Sequence, residues 1–362
     1  EQSESVTYAN LTTAVMPNDP NLPINLGGPV DDSYAMLTKV KTMTADQVIE
    51  ELKASGLQGR GGAGFPAHFK WNAVCQQNET ERYVICNADE AEPGTFKDRY
   101  LLRHHPHQLL EGCLIAAHTV GAKKAYIYLN HEYAEEKVIF ERAKEEARAK
   151  GFLGDNILGT ELNLDIEVFD GYGSYVAGEE TAMLESMQGR PAQPKQKPPF
   201  YPTEFGLHGK PTLINNVETL SNIPNLLRNG PAWFREVGTS TTPGTMLFSL
   251  SGAVNRSGVY ELPLGTSIRH LIEVCGQGVP NGRGVKAVFP GGPSFSMVGA
   301  DQLDLPMDFD SLKKGVSGSA PITKFDASKF KTQFACEVKG YNVADYFDRK
   351  EMYHNKEGVQ FE

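Results

Sequence analysis

The sequence Gly59-Arg60-Gly61-Gly62-Ala63-Gly64 places four glycines within six residues. Glycine lets the backbone reach positive φ and removes the Cβ that would hold a ligand away. Successive exposed N–H groups, with Arg60 and Lys70 nearby, suit a phosphate. A plain glycine-rich surface loop is the alternative, but such loops rarely have so many basic and aromatic neighbours.

The loop also matches the dinucleotide fingerprint G-x-G-x-x-G, which requires a strand immediately before it. The segment before the loop is instead typical of a helix, because apolar residues recur at helical spacing between two capping residues. These residues are Thr44, Val48, Ile49, Leu52 and Gly56. The sequence therefore excludes a classical dinucleotide fold.

Length and composition describe an ordinary globular protein. The 362 residues predict two or three domains, and no apolar run approaches the ~18 residues of a membrane helix. We therefore predict no direct membrane insertion. The net charge of −10 disfavours nucleic acid as a partner. Five scattered cysteines indicate reduced thiols in a cytoplasmic or mitochondrial-matrix compartment.

Strands and helices alternate after the loop. We predict strands at 83–86, 125–129 and 162–168, a helix that begins at Pro106, and a charged helix over 133–150. This alternation predicts an α/β fold whose sheet is at least partly parallel.

A second glycine cluster, at 171–178, follows the third strand and precedes a helix over 179–187. Strand, glycine turn and helix is the context in which a helix N-terminus meets a ligand. The proline- and lysine-rich segment 190–210 is predicted to be an ordered functional loop. Asn215 and Asn216 precede a helix over 217–228, where helix capping is the simplest explanation.

The chain divides into four predicted parts. Residues 1–43 form an extended N-terminal arm suited to lie on a partner subunit, and 44–238 form the main α/β domain. Residues 243–310 form a smaller β-grasp-like domain with a hairpin at 246–262, a helix at 268–274 and a strand at 285–289. Residues 311–362 form a polar C-terminal tail.

An acidic turn, Asn87 to Gly94, follows the first strand, and α/β proteins bind ligands at the carboxyl ends of their strands. A solvated acidic loop is the alternative. A flavin, however, needs an acceptor for its ring N–H, donors for its carbonyls and both for its ribityl hydroxyls. Asparagine and aspartate side chains beside a glycine loop supply that mixture.

These stretches resemble the flavoprotein, NADH-binding subunit of respiratory complex I and the diaphorase subunits of NAD-reducing hydrogenases and formate dehydrogenases. The matching motifs are GRGGAGFPAHFKW (59–71), NADEAEPGTFKDR (87–99), GEETA (178–182), KPPF (197–200), GKPT (209–212) and NNVET (215–219). The resemblance covers about 45 to 310. It implies a Rossmann-like FMN-binding α/β domain followed by a β-grasp domain of the soluble-ligand-binding type.

The resemblance also implies the site residues. FMN would be held by Gly59, Arg60, Gly61, Gly62, Lys70, Asn87, Asp89, Glu90, Tyr175, Gly178, Glu179, Asn215, Asn216 and Thr219. The nicotinamide nucleotide would be lined by Phe65, Glu92, Glu180, Lys197 and Phe200. An acid at Glu180 favours NAD over NADP. Hydride transfer needs no protein acid or base at the reacting carbon, so no catalytic residue is predicted, although Glu92 lies nearby.

Three features depart from the family pattern. The C-terminal region has only Cys336, whereas an iron–sulfur cluster needs about four cysteines. We therefore predict no cluster on this chain and a tail at 311–362 that replaces or truncates the family's cluster domain. Ala177 stands where the family usually has cysteine. Ala67 and His68, and Tyr172 and Ser174, also differ near the nucleotide side.

The leading hypothesis is an NADH dehydrogenase or diaphorase-type flavin subunit of a larger oxidoreductase. It would move hydride between NAD(H) and FMN and pass single electrons to an iron–sulfur protein, for which a thioredoxin-like ferredoxin is expected. The main alternative is a catalytically silent structural homologue that keeps the fold. A binding module based on the β-grasp domain alone would leave the flavin-site motifs unexplained.

Overall fold

A four-stranded parallel sheet forms the centre of the molecule. The computed structural model describes residues 16–160, 163–311, 319–321 and 334–336. The strands are β1 (Tyr83–Ala88), β2 (Lys124–Leu129), β3 (Asp165–Asp170) and β4 (Thr212–Asn216), in the order β3-β2-β1-β4. Tyr83 pairs with both Lys124 and Thr212. The predicted α/β fold with a parallel sheet is confirmed, and β4 is an additional strand for which the sequence predicted no regular structure.

Helices precede, connect and follow these strands. They are α1 (Ala35–Val40), α2 (Ala45–Ser55), α3 (Ala67–Cys75), α4 (Lys97–His104), α5 (Pro106–Val120), α6 (Ala134–Ala149), α7 (Glu180–Met187), α8 (Pro202–Phe205), α9 (Val217–Asn229) and α10 (Pro231–Phe234). The predicted helices before the glycine loop, from Pro106, over 133–150, over 179–187 and after Asn216 are confirmed. α8 and a short 3-10 turn at Leu207–Gly209 interrupt the predicted loop 190–210.

Both faces of the sheet are covered, which is the normal state of a parallel sheet. Val84 and Cys86 of β1 point into the larger core, which includes residues of α5 and α9. Ile85 points the other way and packs with Tyr128, Met183 and other residues of a smaller core. Because β1 is buried on both sides, its sequence is a continuous apolar run rather than an alternating one.

Helix α2 has the ends that its sequence predicts. Thr44 and Gln47 form a reciprocal capping box, and Gly56 ends the helix in the left-handed region with φ of 70°. These two caps satisfy backbone groups that the helix itself leaves unpaired. They fix the point at which the chain enters the glycine loop.

The described part of the N-terminal segment packs on the chain's own core, which differs from the predicted extended arm. Ile24 and Leu37 are 1% exposed, and the Glu111 carboxylate accepts hydrogen bonds from the N–H groups of Met36 and Leu37 at the start of α1. Apolar residues spaced among the prolines and asparagines drive this packing. Residues 1–15 lie outside the described part of the chain.

A smaller module follows α10. Strands β5 (Thr245–Leu250) and β6 (Gly258–Pro263) form an antiparallel hairpin, which confirms the predicted one. Helix α11 (Ile268–His270) continues into a π-helical turn, Leu271–Cys275. Strands β7 (Ala287–Val288) and β8 (Val298–Gly299) pair separately, so the β-grasp assignment stays a prediction.

The end of the chain is described only in part. Helix α12 (Phe309–Ser311) closes the smaller module, and β9 (Ser319–Pro321) pairs with β10 (Phe334–Cys336). Most of the predicted tail, 311–362, lies outside the described residues. Among the residues that are described, no helix combines the length and apolar character needed to cross a bilayer.

Candidate functional site

The candidate site lies at the carboxyl ends of β1 and β4. From β1 the chain continues to β2 and β3 on one side, whereas β4 joins on the other side. Such a reversal of strand order opens a crevice, and open α/β sheets bind their ligands there. A Cβ added to Gly61 would lie 3.1 Å from the Cβ of Asn216, the last residue of β4. The glycine loop therefore lies at this edge.

The loop connects α2 to α3 and is closed by its own backbone. The Gly59 N–H donates to the Phe65 carbonyl at 2.8 Å, and the Ala67 N–H donates to the Leu57 carbonyl at 3.0 Å. Gly62 has φ of 126°, and a Cβ built on it would meet no atom within 4 Å. The turn thus presents bare backbone to open space, as a phosphate site requires.

The side chain of Arg60 does not face this space, contrary to the prediction of a cation for the phosphate. It is 1% exposed and donates to the carbonyls of Thr245, Gln58 and Pro243, each at 3.0 Å. Burial lowers the pKa of Arg60 to about 10, against the attraction of Glu218. Arg60 therefore joins the loop to the smaller module.

Thr219 and Asn215 also point inward. The Arg60 N–H donates to the Thr219 hydroxyl at 2.9 Å, and the Trp71 indole N–H donates to the Asn215 side-chain oxygen at 2.9 Å. Both residues are buried. They hold the loop and α3 against β4 and α9.

Asp89 supplies an unpartnered acceptor at the end of β1. Its N–H donates to the Asn87 side-chain oxygen at 3.1 Å, and the Asn87 amide donates to the Gly178 carbonyl at 2.9 Å. Asp89 is 9% exposed, and its Oδ2 is buried without a hydrogen-bond partner among the described residues. Burial raises the pKa of Asp89 to about 6, although His131 opposes the shift. A buried acceptor of this kind requires a ligand donor or a water.

Four ionised side chains form a rim cluster, which we define as Lys70, Glu179, Glu180 and Lys197. The Glu180 carboxylate lies 2.6 Å from Lys70 Nζ and 2.6 Å from Lys197 Nζ. Burial acts to raise the pKa of Glu180, but the two lysines outweigh it and the pKa is lowered. All four side chains are between 23% and 35% exposed, so a ligand can reach them.

Glu179 also caps α7. Its carboxylate accepts from the N–H groups of Thr181 at 2.8 Å and Ala182 at 2.9 Å, and Lys197 Nζ lies 3.1 Å from it. Burial acts to raise the pKa of Glu179, but these hydrogen bonds outweigh it and the pKa is lowered. The carboxylate is stabilised by the positive end of the helix.

A second group of ionisable side chains lies beneath the site, and the sequence analysis missed most of it. We define the buried cluster as Glu90, Lys97, Asp98 and Glu218. Lys97 Nζ lies 2.7 Å from Asp98 and 2.9 Å from Glu218. Burial acts to lower the pKa of Lys97, but these carboxylates outweigh it and the pKa is raised. The adjacent opposite charges in Phe96-Lys97-Asp98-Arg99 were the available signal.

Asn216 links the buried cluster to the glycine loop. Its amide donates to Asp98 at 2.6 Å, and its side-chain oxygen accepts from Lys97 Nζ at 3.2 Å and from the Glu218 N–H at 3.0 Å. The predicted capping role is therefore present. These contacts fix the orientation of the amide under Gly61.

Glu90 differs in its surroundings from the other acids of the turn. Its carboxylate accepts from the N–H groups of Asp98 at 3.0 Å and Arg99 at 3.1 Å and from the Tyr133 hydroxyl at 2.9 Å. Burial, with the nearby Asp98, raises the pKa of Glu90 to about 7. Its side chain thus caps α4 and does not extend into solvent.

The predicted aromatic residues are exposed. Phe65 is 45% exposed and makes an edge contact with Phe69, with ring centroids 5.6 Å apart. Phe200 is 41% exposed, and Lys195 Nζ lies 5.2 Å from its ring centroid. Exposed aromatic faces of this kind can stack on the bases of nucleotides.

Residues that depart from the family pattern lie in different surroundings. Ala67 is 1% exposed and packs in the larger core, and Ala177 is 2% exposed and packs in the smaller one. His68 lies on α3, which packs against α2, and burial, with Lys53 of α2 nearby, lowers the pKa of His68. These substitutions therefore lie in packed regions, whereas Tyr172 is 77% exposed.

The described residues bring together no group of His, Cys, Asp and Glu side chains that could hold a metal ion. Cys75, Cys86, Cys113 and Cys275 are free thiols. The prediction that this chain carries no iron–sulfur cluster stays a prediction.

The bare glycine turn, the unpartnered carboxylate and the amide groups at the strand ends fit a phosphorylated ring cofactor. This is the arrangement expected of an α/β protein that binds such a cofactor where the strand order reverses. Residues 52–225 match the family model described as the Nuo51 FMN-binding domain.

The chain is also similar in sequence to known oxidoreductase subunits. The chain is 46% identical to the F 2 subunit of NADH-quinone oxidoreductase from Rhizobium meliloti (strain 1021), over 82% of this chain and 70% of that protein. It is 45% identical to the F subunit of the same enzyme from Aquifex aeolicus (strain VF5), over 81% and 68%. The chain belongs to the family of NADH-quinone oxidoreductase F subunits, which confirms the predicted resemblance.

The fold is also similar to that of a solved structure. The crystal structure of an NAD+-reducing [NiFe]-hydrogenase in the H2-reduced state has a TM-score of 0.71 and 37% sequence identity. The match covers 79% of this chain and 48% of that chain. The present sequence therefore spans about half the length of the hydrogenase chain that it matches.

Proposed function

We propose that this chain binds FMN at the carboxyl ends of β1 and β4 and exchanges hydride there with NAD(H). As a member of its family it is an NADH dehydrogenase-type flavoprotein subunit of a multi-subunit oxidoreductase. The observation that carries the residue assignment is the buried, unpartnered Asp89 oxygen at the end of β1, together with the bare backbone of Gly62 in the loop that approaches the end of β4. The first feature offers an acceptor to a ligand donor, and the second leaves space for a phosphate.

The chain's own residues would share the binding of the cofactor. The backbone of residues 59–62 would hold the phosphate, with Lys70 as the reachable cation in place of Arg60. Asn87, Asp89 and Gly178 offer an amide, an acceptor and close backbone approach, while Asn215, Asn216 and Thr219 hold the loop from below. Bound FMN supplies the hydride chemistry, so the protein's task is to orient and stabilise.

The rim cluster and the exposed aromatic residues would bind the nicotinamide nucleotide. Phe65 and Phe200 offer faces for the adenine ring, and Glu180 can accept hydrogen bonds from ribose hydroxyls. The same carboxylate would repel a 2′-phosphate, so we propose NAD rather than NADP as the substrate. Glu92 and Tyr175 would complete the rim next to the reacting ring.

Partner subunits follow from the family, since its members named above are subunits of larger enzymes. We propose an iron–sulfur protein, of the thioredoxin-like ferredoxin kind, as the electron acceptor. We also propose a cytoplasmic or mitochondrial-matrix location, peripheral to a membrane complex. Purification of the native assembly, followed by identification of its subunits and their metal content, tests all three.

A silent structural homologue is the second candidate, because two acids predicted to bind the nicotinamide nucleotide already have partners within the chain. Glu180 is paired with two lysines, and Glu92 accepts from Tyr175 and Ser294. Anaerobic addition of NADH separates the two candidates. We expect the flavin absorbance to bleach, whereas a yellow protein that does not respond to NADH would support the silent homologue.

The cofactor assignment has its own test in Gly61→Val. The valine side chain would start 3.1 Å from the Asn216 Cβ and displace the loop, so we expect the flavin-to-protein ratio to fall to near zero. Gly284→Val is the matched control, because a Cβ at Gly284 meets no atom within 4 Å. Normal flavin content in Gly61→Val, with a folded control, would contradict the assigned phosphate site.

A further inference from the structure

The carboxylate of Glu92 is held by a loop of the smaller module. Its Oε1 accepts from the Ser294 N–H at 2.9 Å, and its Oε2 accepts from the Ser294 hydroxyl at 2.8 Å and from the Tyr175 hydroxyl. Glu92 follows β1, Tyr175 lies between β3 and α7, and Ser294 lies between β7 and β8. Three distant segments of the chain thus meet at one carboxylate.

The loop is shaped for this approach. Gly292 has φ of 79°, and a Cβ added to it would lie 2.6 Å from Glu92 Oε1. The Phe295 N–H donates to the Gly292 carbonyl at 3.0 Å and closes the turn. Any residue other than glycine at this position would strain the backbone and displace the carboxylate. The contact therefore depends on two independent features of the loop, the Ser294 donors and the bare Gly292.

We propose that Ser294 is a positioning residue for Glu92 and that residues 290–296 form one wall of the nucleotide site. This inference rests on the proposed function, in which Glu92 lies beside the bound nicotinamide nucleotide. A free glutamate side chain samples many rotamers, and fixing it before the ligand arrives reduces the entropy lost on binding. The smaller module thereby contributes to substrate affinity.

The electrostatic state of Glu92 is consistent with this role. Partial burial acts to raise its pKa, but the hydrogen bonds from Tyr175 and Ser294 outweigh burial and the pKa is lowered. The carboxylate is therefore ionised at neutral pH. A carboxylate has about four lone-pair sites, so one remains for a ligand donor after these three hydrogen bonds.

The kinetic test compares Ser294→Ala with Ser294→Thr in the FMN-loaded protein. Loss of the hydroxyl should raise KM for NADH about three- to tenfold, with kcat and flavin content retained, and threonine should restore KM. An unchanged KM would overturn the proposal. A lower KM would overturn it too, because it would mean that the contact obstructs the site. A joint loss of flavin and kcat would indicate general damage and would also contradict the positioning role.

A second readout does not depend on activity. Hydrogen exchange of the peptide containing 290–297 should be faster in Glu92→Ala than in wild type, because the Ser294 N–H loses its acceptor. Glu167→Ala, which removes an exposed carboxylate paired with Lys124, is the control and should leave exchange unchanged. Unchanged exchange in Glu92→Ala would overturn the contact. Flavin that NADH does not reduce would overturn the proposed function, and the positioning role with it, even if exchange is faster.

Discussion

The rim cluster and the buried cluster contain the same types of residue but differ in what surrounds them. Lys97 of the buried cluster is 11% exposed and Glu218 is 0% exposed, whereas Lys70 and Glu180 of the rim cluster are 26% and 23% exposed. Breaking a buried pair leaves an uncompensated charge in the interior. An accessible pair can exchange one partner for a ligand at little cost. Burial therefore separates the charges that hold the fold from those that can serve binding.

The two clusters also shift their acids in opposite directions. In the buried cluster the pKa of Glu90 is raised to about 7 and that of Glu218 is raised as well. In the rim cluster the pKa values of Glu179 and Glu180 are lowered. Desolvation dominates in the first case, and lysines or helix N–H groups dominate in the second. Three substitutions test this difference.

Lys97→Met should have the largest effect. It leaves Asp98 and Glu218 without their shared cation, and we expect the free energy of unfolding to fall by about 3–5 kcal/mol. Lys70→Met is the matched control, for which a loss below about 1 kcal/mol is expected. Urea unfolding of the two variants measures both values. Equal losses would show that burial does not distinguish the clusters.

Glu90→Gln should change how stability depends on pH. A raised pKa means that the folded state binds the proton more tightly than the unfolded state, whose pKa is near 4.5. The resulting stability is fully present below pH 4.5 and is lost as pH rises to about 7. Between pH 5 and pH 7, wild type should therefore lose about 1–3 kcal/mol relative to the variant.

Glu92→Gln is the control for this measurement. The pKa of Glu92 is lowered, so its contribution is present above pH 4.5 and is lost only on acidification below that value. Chemical unfolding at pH 5, 6 and 7 should show the altered slope in Glu90→Gln alone. The same slope in both variants would contradict the assignment of Glu90 as a carboxyl that protonates near neutrality.

Glu180→Gln should have the smallest effect on stability, below about 1 kcal/mol, because its partners remain accessible to water. Its effect should appear in the choice of substrate. Removal of the negative charge lessens repulsion of a 2′-phosphate, so the ratio of kcat/KM for NADH over NADPH should fall about tenfold.

Glu50→Gln, in an exposed pair with Lys53 on α2, is the control for the rim cluster and should retain the wild-type ratio. If Glu180→Gln discriminates between NADH and NADPH as well as wild type does, Glu180 does not select the nucleotide. A large loss of stability in Glu180→Gln would instead show that this residue, like the buried cluster, stabilises the fold.

Much of the fold was accessible from the sequence because local patterns agreed with it. Residues 44–56 have both caps and an apolar face, so α2 was predicted with nearly its observed bounds. Strands β1 and β2 are short runs of apolar and aromatic residues bounded by polar turns. β4 was missed because Thr212–Asn216 ends in two asparagines, the second of which caps α9, and a local pattern gives no sign of its pairing with β1.

The sequence indicated which positions belong to the candidate site, but not the direction in which their side chains point. Arg60 sits among glycines in the sequence, and its inward direction depends on carbonyls of 243 and 245, more than 180 residues away. Lys97 resembles a surface lysine until Glu218 approaches it from another element. Ser294 was not singled out, because a serine in a glycine-proline loop has no distinctive local signal. Long-range packing decides all three.

The hairpin of the smaller module makes contacts that would be lost if the α/β domain and the smaller module were separated. Glu261 of β6 is 1% exposed, and its carboxylate accepts from the N–H groups of Ile24 at 2.8 Å and Leu26 at 3.3 Å. Separate expression of either unit would leave a buried acid or the Arg60 guanidinium without its partners. Limited proteolysis near 239–244 should therefore yield two fragments that stay associated until denaturant is added.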